Sequence, residues 1–461
     1  MLTQETPPDI SAEMAASVAE RDLHFRWNFS VLGFDIALFV LALNISSAYV
    51  VLPLFVYHLS SGSNFATSLI PAVRALGSFG PQLLVADAIE HMRRTKPILL
   101  FITVFERVPF LILALAAVAL AGGHPTLLLI LFFLLIFVQT LGGGFSFPPW
   151  LDLVARAVPD NWRGRFFGLS SGLGSFLGIG GAAIATLILS SSAIGYPNTF
   201  ALCFTLTFSV MVVSFICLSL AREPHRIPHP KAQRAQRKAA GESGPRGWLR
   251  ITRQDRSFRM LLIANGITGA AGMAIGLFAV AAKSIAHLTD AQASIQNNVL
   301  ALSSALSYFL LGWVGDRYGH RLVLEIGSLA TGAAALLAFF AHSQLLFIGV
   351  FLLTGLGLSA TFLAQLAFVV EFGTPETRPT YIALSAVAYA PFATFAPILG
   401  GWLADHVGYG PPFLLAGVLG LVGLVVYRLL VPDPRMEARQ AAAESLTQSE
   451  PVTSTGHKGT P

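Results

Sequence analysis

Stretches of twenty or more predominantly apolar residues recur along this chain, separated by short polar connectors. A run of that length matches the hydrocarbon thickness of a bilayer at about 1.5 Å of rise per residue. Transmembrane strands would be about ten residues long and would alternate in polarity, so continuous runs predict helices. The runs fall at roughly 29–57, 65–86, 97–121, 126–154, 165–192 and 196–221. A second series follows at roughly 259–284, 295–315, 321–341, 345–370, 380–402 and 411–431. Only 11% of the 461 residues are charged, against about 25% in a soluble domain. The expected fold class is therefore an all-α membrane protein with twelve transmembrane helices in two pseudo-symmetric six-helix bundles.

The distribution of Lys and Arg orients such a chain, because cytoplasmic segments retain positive charge during insertion. With the N-terminus inside, 26 of the 29 Lys and Arg fall in the cytoplasmic tails and loops. Arg74 and Arg107 lie within spans, and the opposite side holds at most Lys283. The expected division is a cytoplasmic tail over 1–28, a first bundle over 29–221, a basic linker over 222–258, a second bundle over 259–431 and a disordered cytoplasmic tail over 432–461. Acids near the N-terminus (Glu5, Asp9, Glu13) and a first apolar run too long for a signal core argue against a cleaved leader. The location read from these features is an inner (plasma) membrane with both termini cytoplasmic. The linker's cations are read as a block that fixes topology, with contact to membrane lipids through the segment from Trp248 to Phe258 as the alternative.

Two pairs of loops repeat. After the eighth span the chain reads Gly312, Trp313, Val314, Gly315, Asp316, Arg317, Tyr318, Gly319, His320, Arg321. After the second it reads Asp87, Ala88, Ile89, Glu90, His91, Met92, Arg93, Arg94, and the two aspartates are 229 residues apart. Pro159 to Gly164, with Arg163, after the fourth span is echoed by Pro375 to Pro379, with Arg378, after the tenth. The prolines are 216 residues apart and the arginines 215. A tight cytoplasmic turn needs glycine where the backbone reverses, an acid facing a helix N-terminus, and cations that stay inside. The first-half copy has lost the glycines.

These loops resemble those of the major facilitator superfamily. The resemblance spans residues 29–431 and implies a secondary active transporter that works by alternating access, a permease with a small-molecule solute, a proton as coupling ion and a monomeric state. It also implies that Asp87 and Asp316 latch the cytoplasmic side against the opposite half, with Arg156, Arg163 and Arg378 as candidate partners. Gly164, Gly168, Gly172, Gly174, Gly178, Gly180 and Gly181 in the fifth span resemble the family's antiporter motif without its proline. Export by antiport is slightly favoured over symport, and close helix packing is the plainer reading of the glycines.

Within the membrane a charge needs a partner or a wet cavity. Arg74 and Glu106 are the deepest charged groups. A structural bridge between them is favoured over a substrate or proton site, and Glu106 is not expected to pair with its neighbour Arg107. Asp35 and Asp152 are expected at an inner gate, with proton acceptance as the alternative for each. Asn44, Tyr49, Gln139, Asn265, Thr361 and Gln365 are candidates for the wall of a substrate cavity, since the resembled fold lines it with the first, fourth, seventh and tenth spans.

Nothing points to a cofactor or metal, to nucleic acid, or to an enzyme: no phosphate loop and no H-E-x-x-H pattern occurs. Cys203 and Cys217, roughly 21 Å apart if on one helix at about 1.5 Å per residue, read as packing residues. A receptor or lipid-handling protein on the same fold is the competing reading, because fold alone does not dictate function.

Overall fold

A computed structural model describes residues 10–89, 94–224, 250, 252–369 and 378–432. Among them are fourteen α-helices. The first half holds α1 (Ile10–Ile45), α2 (Val51–Leu59), α3 (Asn64–Ile89), α4 (Lys96–Leu120), α5 (Pro125–Ala157), α6 (Asp160–Leu189) and α7 (Asn198–Leu220). The second holds α8 (Arg256–Ala271), a 3₁₀ segment (Gly272–Leu277), α9 (Phe278–Ile285), α10 (Asp290–Tyr318), α11 (His320–Phe340), α12 (Gln344–Val369), α13 (Arg378–Val407) and α14 (Gly410–Leu430). Eleven helical segments among the described residues are long and apolar enough to cross a membrane. The expected second span, α3, is not among these eleven. It has 26 residues, enough for about 39 Å, and most of its side chains after Ser78 lie outside the described residues.

The expectation of an N-terminal tail over 1–28 changed at the first span. Helix α1 begins at Ile10, inside the segment expected as a tail. The Trp27 indole donates to the Leu220 carbonyl at 2.9 Å and the Asn28 amide to the Arg222 carbonyl at 2.8 Å, which ties the start of the bundle to the end of α7. Phe25 and Phe29 pack on Trp162. The first span is then interrupted at Ser46–Val50, and the seventh tightens into the 3₁₀ segment.

Within the first half α1 packs on α6 and α7, and α4 on α5 and α7. Within the second, α11 packs on α12 and α14, and α8 on α14. The halves meet along two seams, α3 against α13 and α6 against α10. The glycines of α6 account for its closeness to α1. A Cβ on Gly174 would lie 3.2 Å from the Val40 Cβ, and one on Gly181 would lie 2.6 Å from the Leu41 carbonyl oxygen. A side chain at Gly181 would displace the α1 backbone, and one at Gly174 would press on Val40.

At the end of the molecule away from the linker, polar groups join the halves. Asp405 accepts from the Asn64 and Phe65 backbone N–H groups at 2.7 and 2.9 Å and from the Ser63 hydroxyl at 2.9 Å. His58 meets Asp290 at 2.6 Å, and Lys283 pairs with the same carboxylate. Tyr409 donates to Asn64 at 2.6 Å.

Candidate substrate cavity and buried charge cluster

The two interruptions face each other across a cavity of about 550 Å³. The break in the first span contributes Ser46, Ser47, Ala48 and Tyr49, and the tightened seventh span contributes Gly272 and Ile275. Breaks at corresponding positions of two repeats free backbone groups and let side chains converge near mid-membrane. Asn44, Tyr49 and Thr361, three of the predicted wall residues, line this cavity. The side chain of Gln365 lies outside the described residues.

Two predicted wall residues face elsewhere. Asn265 is buried inside the second half, where its carbonyl oxygen accepts from the Tyr427 hydroxyl at 2.6 Å. Gln139 is buried in α5, with its Oε1 unpaired among the described residues. Conversely, Arg74, Tyr308 and Tyr389 line the cavity from α3, α10 and α13, spans from which no wall residue was expected. A second chamber of about 270 Å³ shares Tyr49, Arg74 and Tyr389 and reaches Pro71 and Pro397.

The expected Arg74 to Glu106 bridge does not form. Helix α5 runs between them: a Cβ on Gly142 would lie 3.1 Å from the Glu106 backbone nitrogen, and one on Gly144 would lie 2.7 Å from the Gly77 carbonyl oxygen on α3. The glycine run at 142–144 thus wedges α5 between α4 and α3. It separates Arg74, which faces the cavity, from Glu106, which does not.

Glu106 instead pairs with its neighbour Arg107 at 3.1 Å, contrary to expectation. The guanidinium curls back one turn to donate to the Thr103 carbonyl at 2.9 Å, and this brings it over the Glu106 carboxylate. It also donates to the Met211 carbonyl at 3.0 Å and the Ser214 hydroxyl at 3.3 Å. The rings of Phe39 and Phe215 flank it at 5.9 and 5.4 Å. Asp35, expected at an inner gate, belongs to this cluster: its carboxylate is 3.8 Å from Arg107 and accepts from Ser214 at 2.6 Å. Ser146 of α5 donates to Glu106. Asp35, Glu106 and Arg107 are 5%, 5% and 4% exposed, so two carboxyls share one guanidinium with little solvent to screen them.

Asp152, the other expected gate residue, is tied within its own half. Arg156 bonds it at 2.7 Å and Glu223 at 2.8 Å, and also donates to the Pro224 carbonyl at 2.9 Å. Arg156 therefore anchors the start of the linker. Burial pushes the Glu223 carboxyl up. The Thr95 N–H, the Arg156 guanidinium and the Lys96 N–H outweigh this and hold it below the usual carboxylate range.

The loop signature is resolved in part. Gly319 has φ +98° and receives the turn, its N–H bonding the Gly315 carbonyl at 3.0 Å. Gly312 has no atom within 4 Å of an added Cβ. Arg317 stacks over Trp313 and Tyr318. Arg321 pairs with Glu325 at 3.1 Å, and Arg428 reaches the same carboxylate at 3.3 Å. Arg94 is exposed. Arg93 and the side chains of Asp87, Arg163, Asp316 and Arg378 lie outside the described residues.

A cavity between two helical halves, each with an interrupted first span, invites comparison with known proteins. The sequence matches the Major Facilitator Superfamily over residues 34–282 and again over 261–457. It is 32% identical to the multidrug efflux pump LfrA of Mycolicibacterium smegmatis over 139 residues, which are 30% of this chain and 28% of that protein. It is 29% identical to the uncharacterized MFS-type transporter YdeG of Bacillus subtilis over 192 residues, 38% of this chain and 44% of that one. The matched segments thus span less than half the length of either relative. Among solved structures, a D-xylose-proton symporter superposes with a TM-score of 0.66 at 15% identity, covering 92% of this chain and 98% of its own. That likeness speaks to the fold. The chain belongs to the Major Facilitator Superfamily and is a multi-pass membrane protein.

Proposed function

We propose that the protein is a proton-coupled secondary transporter that moves a small solute across the plasma membrane by alternating access, with export favoured over uptake. The observation that carries this reading is the pairing of a central cavity with a buried ionisable cluster on the helix that leads into it. Asp35 and the break at Ser46 lie on the same span, about 16 Å apart at 1.5 Å per residue.

Two buried carboxyls and one guanidinium balance in charge only when one carboxyl carries a proton. A proton gained or lost there changes how Asp35 and Glu106 hold Arg107, and hence how α1 sits against α4 and α7. Asn44, at the cavity end of α1, accepts from the Asn297 side-chain amide of the opposite half at 2.9 Å through its backbone carbonyl. Movement of α1 thereby reaches the seam between the halves. The polar contacts around Asp405 and Asp290 close the end away from the linker. With the termini and linker cytoplasmic, this supports an arrangement in which the solute enters from the cytoplasmic side and leaves when those contacts break. The export direction draws support from the similarity to LfrA, named a multidrug efflux pump.

The test is solute-dependent proton movement in liposomes. The protein is reconstituted with a trapped pH dye, and solutes that raise its unfolding temperature are added. The account expects proton flux that requires both solute and protein and is lost in Asp35→Asn. Solute movement that proceeds without proton flux, or lipid movement independent of any gradient, would contradict it.

A further inference from the structure

We infer that the central cavity selects an organic monoanion with an aromatic or otherwise flat apolar body, held by Arg74. This rests on the transport reading of the cavity and names its substrate class. Arg74 is the only charged side chain among the described residues that line the cavity, and no described side chain or backbone group forms an ion pair or hydrogen bond with it. A guanidinium inside a membrane protein is expensive to leave without a counter-charge, and its planar donor fork suits a carboxylate, sulfonate or phosphate group. The acids that could have neutralised it are occupied elsewhere: Glu106 and Asp35 are bound to Arg107 behind α5, and Asp152 to Arg156. The missing negative charge is supplied by the solute.

The rest of the wall sets the body of that solute. Tyr49, Tyr308, Tyr389 and Phe362 line the cavity with aromatic side chains, while Asn44 and Thr361 add neutral hydrogen-bonding groups. Aromatic walls favour flat apolar partners. A single cation without further basic residues favours one negative charge over several. A cationic solute would meet like charge in a poorly screened site. The volume of about 550 Å³ falls within the range of pockets that enclose drug-sized molecules.

The experiment uses three probes of one shape and different charge: naphthoate, naphthamide and naphthylmethylammonium. Their equilibrium binding to the purified full-length protein in detergent is measured by titration calorimetry and by shift of the unfolding temperature. Naphthoate is expected to bind at least about tenfold tighter than the amide, the size of one charge-assisted hydrogen bond, and the cation is expected to bind weakest. Arg74→Gln should erase the gap between naphthoate and naphthamide, and Arg74→Lys should keep part of it. If Arg74→Gln does not fold, the ranking of the three probes on the unaltered protein and on Arg74→Lys decides the matter. Equal or tighter binding of the cation, a naphthoate preference that survives Arg74→Gln, or no binding of naphthoate overturns the inference. Equilibrium binding requires neither an ion gradient nor a transport cycle. A failure of proton-coupled flux is therefore recorded separately from a failure of anion selection.

Discussion

In the first half, a carboxylate on the first span accepts a hydrogen bond from a hydroxyl on the sixth, Ser214 to Asp35 at 2.6 Å. In the second half, an amide on the seventh span accepts one from a hydroxyl on the twelfth, Tyr427 to Asn265 at 2.6 Å. Asn265 stands 230 residues after Asp35 and Tyr427 stands 213 after Ser214, within one residue and two to three residues, respectively, of the offsets that relate the repeated loops. The two contacts are therefore counterparts with different chemistry. Around Asp35 lie Glu106 and Arg107. Around Asn265 the neighbouring contacts are neutral: Thr268 with Ser328 at 3.1 Å, and Ser328 to the Gly420 carbonyl at 2.8 Å. One half carries two carboxyls and a guanidinium at this depth, and the other is joined there by groups that are uncharged at neutral pH.

The sharpest way to break this comparison is to remove the counter-charge on one side. Arg107→Met leaves two buried carboxyls without a cation and is expected to destabilise the protein by about 3–5 kcal/mol, read from unfolding in detergent. A variant as stable as the parent would mean that the guanidinium does not balance the cluster. Packing gives the next effect. Gly181→Ala sets a methyl group against the Leu41 carbonyl and is expected to cost about 1–3 kcal/mol, seen as a lowered unfolding temperature. No loss would show that α1 and α6 are not held together by that seam. On the neutral side, Tyr427→Phe removes one hydrogen bond and should cost about 1 kcal/mol while leaving the pH dependence of flux unchanged. A shifted pH profile in that variant would show that the second half titrates too.

The smallest effect concerns Glu223. Its carboxyl is held below the usual range by Thr95, Arg156 and Lys96 despite its burial. Its stabilising contribution is thus fully present above the unfolded-state value of about 4.3 and is lost as pH falls through the lower folded value. Glu223→Gln should flatten the acid limb of a plot of unfolding temperature against pH. An unchanged limb would place the acid sensitivity elsewhere.

The spans and the duplication were legible in the sequence, because lipid forces backbone groups to pair within each segment and leaves long apolar runs behind. The loop offsets gave a register that brings Asp35 within one residue of Asn265. The break at Ser46–Val50 was only partly legible: it contains neither glycine nor proline, and its one local signal is Pro53, in the first turn of α2, where a missing N–H is tolerated. The pairing of Arg74 with Glu106 was misjudged on depth alone. The chain carries the correction in Gly142, Gly143 and Gly144, whose missing side chains let α5 come between α3 and α4. Tyr308 and Tyr389 were missed because cavity wall residues were sought on four spans, whereas the seams at α3 with α13 and α6 with α10 bring other spans to the cavity's edge. Arg107 showed as an intramembrane charge, but its bonds to the Thr103 and Met211 carbonyls depend on backbone placement that no residue pattern encodes.

The central claim is that a proton resides on the carboxyl pair of the first half, and infrared spectroscopy of the protein in lipid tests it without needing the solute. A pH-step difference spectrum should contain a protonated-carboxyl stretch that is changed in Asp35→Asn and absent in the double variant Asp35→Asn, Glu106→Gln, while Asn265→Ala leaves it in place. A spectrum in which that stretch survives the double variant, or in which the parent protein never shows it, would contradict the account.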